Sequence, residues 1–219
     1  MVGATVVSAF FNSGKTDYSY PPPTTGYTSN SNSFGITLNP SIGWFVSDNI
    51  AIGTLLNIGY SHQKNFDENS SGVTFNKNIF NSFNFGIGGF ARNYFNSSGN
   101  LTPFGQFNLN AGIGSSTNSG FYFTNGDKNT YDGKSSGDFF INTGLALGFT
   151  KMLNTNTGLD FYVGYSFSYN KKEFKTTTLT DVGNNGSVDL TAISDPTQKF
   201  TNHGVAIGIG FQVFLDKKK

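Results

Sequence analysis

The chain has 219 residues, a net charge of +1 and no cysteine, and only 12% of its residues are charged. The balanced charge gives no reason to expect a nucleic-acid partner, and the lack of cysteine excludes disulfides, thiolate metal sites and cysteine nucleophiles. No apolar run approaches the roughly 20 residues of a membrane-spanning helix, whereas 28 Gly and 16% aromatic residues favour strands joined by turns.

Alternation of apolar and polar residues predicts eight strands along the chain. They are residues 3–12, 33–46, 50–62, 79–94, 101–115, 137–151, 158–171 and 201–214. The last strand shows the pattern most clearly, because Val205, Ile207 and Ile209 alternate with alanine and glycine. Most of the eight segments therefore carry one apolar face and one small or polar face.

The connections between these strands alternate without exception between short and long. The short ones are rich in Asn, Ser and Gly and lie at 47–49, 96–100 and 154–158. The long ones are residues 13–32, 63–78, 116–136 and 172–200. This layout is typical of a bacterial outer-membrane barrel. We therefore expect a single all-β domain over 1–219, an eight-stranded antiparallel transmembrane up-and-down barrel with short periplasmic turns and long extracellular loops.

The composition of the polar face indicates which side of the barrel meets lipid. A water-facing surface is roughly a quarter to a third charged, yet well inside the strands only Arg92 and Asp160 are clearly charged. Small uncharged residues suit the packed lumen of an eight-stranded barrel. The apolar face is thus predicted to contact membrane lipid. The alternative is an inverted, soluble, lipocalin-like barrel that carries a hydrophobic ligand.

Two sets of residues within the strands are assigned specific roles. Arg92 and Asp160 are predicted to form an ion pair in the lumen, because a buried charge needs a partner. Aromatic residues near strand ends are predicted to form the girdles at the two membrane interfaces. These girdle residues are Trp44, Tyr60, Tyr94, Phe104, Phe149, Phe161, Tyr169 and Phe214.

Three segments of the chain resemble a known family. They are "PSIGWFVSDNIAIG" (40–53), "GGFARNYF" (88–95) and "LTPFGQFNLNAGIG" (101–114). They are similar to the small outer-membrane β-barrel proteins of Bacteroidota, in which a strand ends near Pro-x-x-Gly-aromatic-Phe and the next opens Ala-x-Gly. The resemblance implies an eight-stranded barrel of the OmpX or OmpA type, and it gives no catalytic residues to carry over to this chain. It also implies a chain that ends on the last-strand aromatic, whereas this one continues as "LDKKK".

Other motifs give weak indications of chemistry. "AFFNSGKT" (9–16) has Ala9 where a phosphate-binding loop needs its first glycine, and no helix pattern follows it. His62 and His203 fall near the loop ends of their strands, where a hydrolase or acyltransferase at the rim would need a partnered histidine. Residues 125–133 and 181–189 alternate Asp and Asn, but neither fits the spacing of a calcium loop. We expect no cofactor and no metal.

The fourth long connection carries the clearest indication of function. Around "GNNG" it has two arms with β-branched residues, which predict short strands extending above the membrane. A protruding sheet edge can bind an extended partner chain. The alternative is a canopy of loops whose polar groups satisfy one another. The candidate contact residues are Phe174, Thr178, Leu179, Val188, Leu190 and Ile193.

The sequence therefore predicts a non-enzymatic protein of the bacterial outer membrane. Its role would be structural or adhesive, or that of a subunit of a complex, and other outer-membrane or surface proteins are the candidate partners. No signal peptide is visible, and we expect that one has been removed. The alternatives are a rim hydrolase or acyltransferase, a narrow pore, and the soluble carrier.

Overall fold

The computed structural model describes residues 2–19, 26–95, 100–135 and 137–214, with only the backbone for 2–8. The described chain is almost entirely antiparallel β-structure. Its strands are β1 (Val2–Tyr18), β2 (Tyr27–Phe45), β3 (Ile50–Asn69), β4 (Thr74–Tyr94), β5 (Leu101–Thr124), β6 (Asp127–Ser135), β7 (Asp138–Asn154), β8 (Thr157–Asp181), β9 (Leu190–Ser194) and β10 (Thr197–Phe214). One short 3-10 turn, Val182–Asn184, lies between β8 and β9. No helix in the described ranges has the length and apolar composition that crossing a membrane would need.

Eight of the ten strands form a closed barrel. Each strand from β1 to β4 pairs with the next one. The barrel then continues from β5 to β7, from β7 to β8 and from β8 to β10, and β10 closes it by pairing with β1. The eight-stranded antiparallel up-and-down barrel expected from the sequence is therefore confirmed. The described residues at both ends of the chain meet at the short-turn side, where Val2 pairs with Phe214.

The long connections differ from the expected loops because most of their residues continue the strands. β8 has 25 residues, whereas about 9–11 suffice to cross the hydrocarbon. β6 continues the line of β7 along one edge of β8, and β9 continues the line of β10 along its other edge. A sheet, here called the extracellular sheet, consequently stands above the barrel and contains β6, β9 and the upper ends of β3, β4, β5 and β8.

The two faces of the barrel differ sharply in polarity. On the outside Ile87, Ile113, Leu145 and Leu147 are all more than 60% exposed. Inside, the lining includes amides, hydroxyls, glycines, charged side chains and a few aromatic rings. This is the arrangement of a membrane barrel, whose outer face replaces water with lipid, and the reverse of a soluble barrel that carries an apolar ligand.

The β1–β10 seam is the shortest pairing in the barrel. In the described part of the chain it consists of Val2, Gly3 and Ala4 opposite Phe214, Val213 and Gln212. Unpaired backbone groups in hydrocarbon cost several kcal/mol each. We therefore expect the seam to continue in the same register when the protein is in a bilayer.

A disulfide across the seam tests this expectation. Extending the register places Ala9 opposite Ile207, so the pair Ala9→Cys and Ile207→Cys should cross-link on oxidation in membranes. The displaced pair Ala9→Cys and Ile209→Cys should stay reduced, because the two thiols are then too far apart. Equal cross-linking of both pairs, or of neither, would contradict a closed seam in this register.

Candidate functional site

A buried polar cluster fills the lumen at its periplasmic end. The structure brings Arg92 and Asp160 together as an ion pair, with Nη1 of the arginine 2.7 Å from Oδ2 of the aspartate. The other oxygen of Asp160 accepts a hydrogen bond from the Thr150 hydroxyl at 2.6 Å. The Arg92 Nε donates to Gln106 at 2.7 Å. Because both charges are more than 90% buried, this network neutralises what would otherwise be two very costly groups.

Aromatic rings complete this periplasmic-end plug. Phe104 is 1% exposed, and its ring lies under the Arg92 guanidinium, with 3.9 Å between guanidinium carbon and ring centroid. Tyr94 is also buried, and its hydroxyl donates to Gln212 of β10 at 2.9 Å. Phe214 packs against the same cluster. The plug therefore joins β4, β5, β7, β8 and β10 across the barrel.

The predicted girdle is wrong for three of its eight residues. Tyr94, Phe104 and Phe214 lie inside the barrel because they share strand faces with Arg92, Gln106 and Gln212. Successive side chains of a strand alternate between faces, so a position near a strand end does not by itself turn a ring towards lipid. The other five occupy outward-facing positions of their strands, namely Trp44, Tyr60, Phe149, Phe161 and Tyr169.

Aspartates hold the turns of the extracellular sheet. Asp181 accepts hydrogen bonds from the backbone of Asn185 and Gly186, each at 2.8 Å. Asp127 accepts from the backbone of Gly183, and Asp189 from that of Val182, both also at 2.8 Å. The carboxylates of the two calcium-like segments thus cap backbone N–H groups. The described residues contain no group of three or more His, Asp or Glu side chains placed to hold a metal.

The six predicted contact residues of the fourth connection do not share one environment. Val188, Leu190 and Ile193 are 59%, 61% and 65% exposed on and beside β9, and Leu179 is 36% exposed on β8. Thr178 is half-buried near the end of β8, where the strand lies between β6 and β9. Phe174 is a correction, because it is 8% exposed and pairs with Ser135 of β6, so it cannot contact a partner.

A second buried polar cluster, which the sequence patterns do not reveal, lies at the extracellular end of the lumen. Asp138 Oδ2 accepts hydrogen bonds from the hydroxyls of Ser116 at 3.1 Å and Ser135 at 2.8 Å. Lys172 Nζ donates to the Ser116 hydroxyl at 3.1 Å. Asp138 begins β7, and Lys172 belongs to a segment predicted as a loop, so neither counts among the charges expected inside the strands.

Among the described residues, neither histidine forms a hydrogen bond or ion pair with a carboxylate. His62 Nδ1 contacts the side-chain oxygen of Asn81 at 2.7 Å, and the His203 ring lies 6.2 Å from that of Tyr165. Residues 9–16, the segment like a phosphate-binding loop, are extended within β1. Neither motif has the surroundings that its chemistry would need.

Comparison with solved structures identifies the fold. The chain is similar to the outer-membrane protease OmpT of Escherichia coli, with a TM-score of 0.52 and 12% identity over 97% of this chain and 77% of that one. OprG of Pseudomonas aeruginosa gives a TM-score of 0.38 at 11% identity, covering 98% and 95% of the two chains. Neisserial surface protein A gives 0.33 at 15% identity, covering 98% and 96%. The last two likenesses are too distant to carry an argument.

At the level of sequence, no family model and no curated protein matches the chain. An identity of 12% to the protease supports the fold and transfers no activity. The apolar outer face supplies an independent argument, because such a surface needs lipid around it. The chain therefore has the fold of an outer-membrane β-barrel, and its exposed apolar band places it in that membrane.

Proposed function

We propose that this protein is a non-enzymatic subunit or adhesin of the cell surface that binds an extended segment of another surface protein along β9. The observation that carries the proposal is the free edge of this strand. β9 pairs with β8 through Thr176–Thr180, and no other described strand pairs with β9. An unpaired edge presents a row of backbone donors and acceptors to an incoming strand.

The side chains of β9 favour a protein partner of apolar or β-branched character. Leu190 and Ile193 are both more than 60% exposed, and Val188 beside them is 59% exposed. Across β8, Tyr131 of β6 anchors the sheet by donating a hydrogen bond to the Lys77 carbonyl at 3.3 Å, and burial raises the pKa of its hydroxyl. The sheet that carries the edge is thus tied to β4, and a preformed edge lowers the entropy that binding would cost.

The plug and the family resemblance also support a role outside the membrane. The network of Arg92 and Asp160 crosses the lumen at its periplasmic end, so the proposal assigns no transport to the barrel. The segments 40–53, 88–95 and 101–114 favour membership of the small Bacteroidota barrels. This membership gives no catalytic residues to carry over to this chain, so the proposal places the activity in the extracellular sheet.

Site-specific photo-crosslinking in living cells tests the proposal. A photoreactive residue at Ile193 should give one discrete adduct with a surface protein, and Leu190→Lys should reduce this adduct at least tenfold, because an edge charge opposes strand addition. Ser71→Lys, in the exposed β3–β4 turn, is the matched control and should leave the adduct unchanged. A correctly assembled barrel that gives no adduct, or equal loss with both lysines, would overturn the proposal.

A further inference from the structure

The extracellular half of the lumen contains a cavity that the proposed function does not use. Its volume is about 210 Å³, larger than the ~150 Å³ cavity that accommodates benzene in a protein core. Two amide pairs lie between it and the cavity beside the periplasmic-end plug: Asn57 donates to Asn39 at 2.7 Å and Asn142 donates to Asn110 at 3.2 Å. The two cavities share no lining residue, and the lining of the upper one includes Asn57, Ser82, Asn84, Asp138, Phe140 and Lys172.

One carboxylate oxygen of Asp138 has no hydrogen-bond partner among the described residues. The side chain is 95% buried, since the residue is only 5% exposed. Its Oδ2 accepts hydrogen bonds from Ser116 and Ser135, whereas its Oδ1 is buried with no partner among the described residues. The Asn84 oxygen, on the same cavity wall, is also buried without a partner. Buried acceptors of this kind are rare, and a donor that reached either oxygen would gain a hydrogen bond that the described residues do not supply.

The charges around the cavity disfavour both a simple cation and a simple anion. Ser116 Oγ lies 3.1 Å from Lys172 Nζ and 3.1 Å from Asp138 Oδ2, so one hydroxyl links the ammonium to the carboxylate. Lys172 also lies over the ring of Phe80, 5.2 Å from its centroid, which holds the ammonium in place. The charge of Lys172 would repel a metal ion or an amine, and the charge of Asp138 would repel an anion. A hydroxyl group both donates and accepts, and so suits both.

Phe140 adds a flat apolar wall to this polar lining. It is 7% exposed, and a Cβ added at Gly86 or at Gly112 would lie within 2.7 Å of its ring. These two glycines let the ring lie directly on the backbone of β4 and β5. Pockets combine apolar surface with a few placed polar groups, and the C–H face of a sugar ring is an apolar surface of matching shape.

We infer that this cavity is a binding site for a neutral, hydroxyl-rich solute of the size of a single sugar unit. Asp138 Oδ1 and Asn84 Oδ1 accept hydrogen bonds from ligand hydroxyls, and the ring of Phe140 packs against the carbon skeleton. The inference does not depend on β9, because none of the residues that carry it belongs to the β9 edge.

Saturation-transfer NMR on the full chain in detergent micelles tests this site. The probes are D-glucose, D-galactose and D-mannose, with glycine and Ca²⁺ as zwitterionic and cationic alternatives in competition experiments. At least one hexose should receive saturation from the protein, and Asp138→Asn should weaken its binding at least tenfold. Asp132→Asn, an identical charge change at an exposed position of β6, should have no effect.

A second variant covers the case in which Asp138→Asn fails to assemble. Phe140→Leu keeps an apolar side chain and removes the flat ring, so it should weaken the hexose signal severalfold in a barrel that still shows heat-dependent mobility on gels. The site would be refuted if no hexose received saturation or if neither variant changed the signal. Displacement of the hexose by glycine or Ca²⁺ would refute the assigned ligand class.

Discussion

Replacing Asp160 with asparagine should destabilise the barrel by about 3–5 kcal/mol, the usual cost of leaving one partner of a buried ion pair uncompensated. The asparagine keeps the shape of the side chain, but the charge of Arg92 then has no counter-charge at 2.7 Å. The measurement is urea unfolding of the protein in phospholipid vesicles. Trp44 is the single tryptophan and is 52% exposed on the outer face, so its fluorescence reports loss of lipid contact.

Removing both charges is the matched control for this prediction. The double variant Arg92→Gln with Asp160→Asn retains hydrogen-bonding groups in the plug and leaves no buried charge in the plug. It should recover at least half of the free energy of unfolding that Asp160→Asn loses, since the effects of substitutions at two residues in direct contact are not additive. A loss below about 1 kcal/mol for the single variant, or equal losses for both, would show that the ion pair does not stabilise the plug.

Gly112→Ala should give the second large effect, a loss of about 1–3 kcal/mol or failure to assemble, as overpacking does in well-filled interiors. A Cβ at this lumen position would collide with the backbone oxygen of Phe85 and with the Phe140 ring. The backbone oxygen belongs to the neighbouring strand and cannot move without breaking the pairing of β4 with β5. The measurement is the fraction of heat-modifiable barrel after refolding, followed by urea unfolding of whatever assembles.

Gly105→Ala on the same strand is the control for the glycine prediction. Its added Cβ would meet Leu147 and Phe95 at 3.5 Å and 3.6 Å, which is ordinary contact distance. We expect this variant to assemble like the parent protein and to unfold within about 0.5 kcal/mol of it, the usual range for surface substitutions. If both alanines behaved alike, the glycine-rich inner face would not be explained by close approach.

The barrel itself is predictable from the sequence because its physical cause is local. Period-two alternation depends only on neighbouring residues, and it is enough to distinguish lipid-facing Ile207 from lumen-facing Gly208. The same alternation also corrects the girdle when it is applied to the strand ends. Tyr94 lies two residues from Arg92, and Phe104 two from Gln106, so each ring shares the lumen face with a residue of the plug.

The extracellular sheet and the upper lumen are less predictable because they depend on distant pairings. β6 has no apolar alternation, and its position is set by pairing with β5 and β8. Ser116 and Lys172 are 56 residues apart in the chain and meet only because the barrel brings β5 and β8 to the same level. Pattern reasoning that treats long connections as loops cannot find such a cluster.

Spin-label accessibility along β7 tests the central claim that the apolar face meets lipid. The chain has no cysteine, so single labels can be placed at each position from 139 to 149 in the protein inserted into vesicles. Oxygen concentrates in lipid. We therefore predict that it reaches labels at 141, 145 and 147 and is excluded from labels at 142, 144 and 146. Oxygen maxima at the even-numbered positions, or no alternation at all, would contradict a lipid-facing barrel with a packed polar lumen.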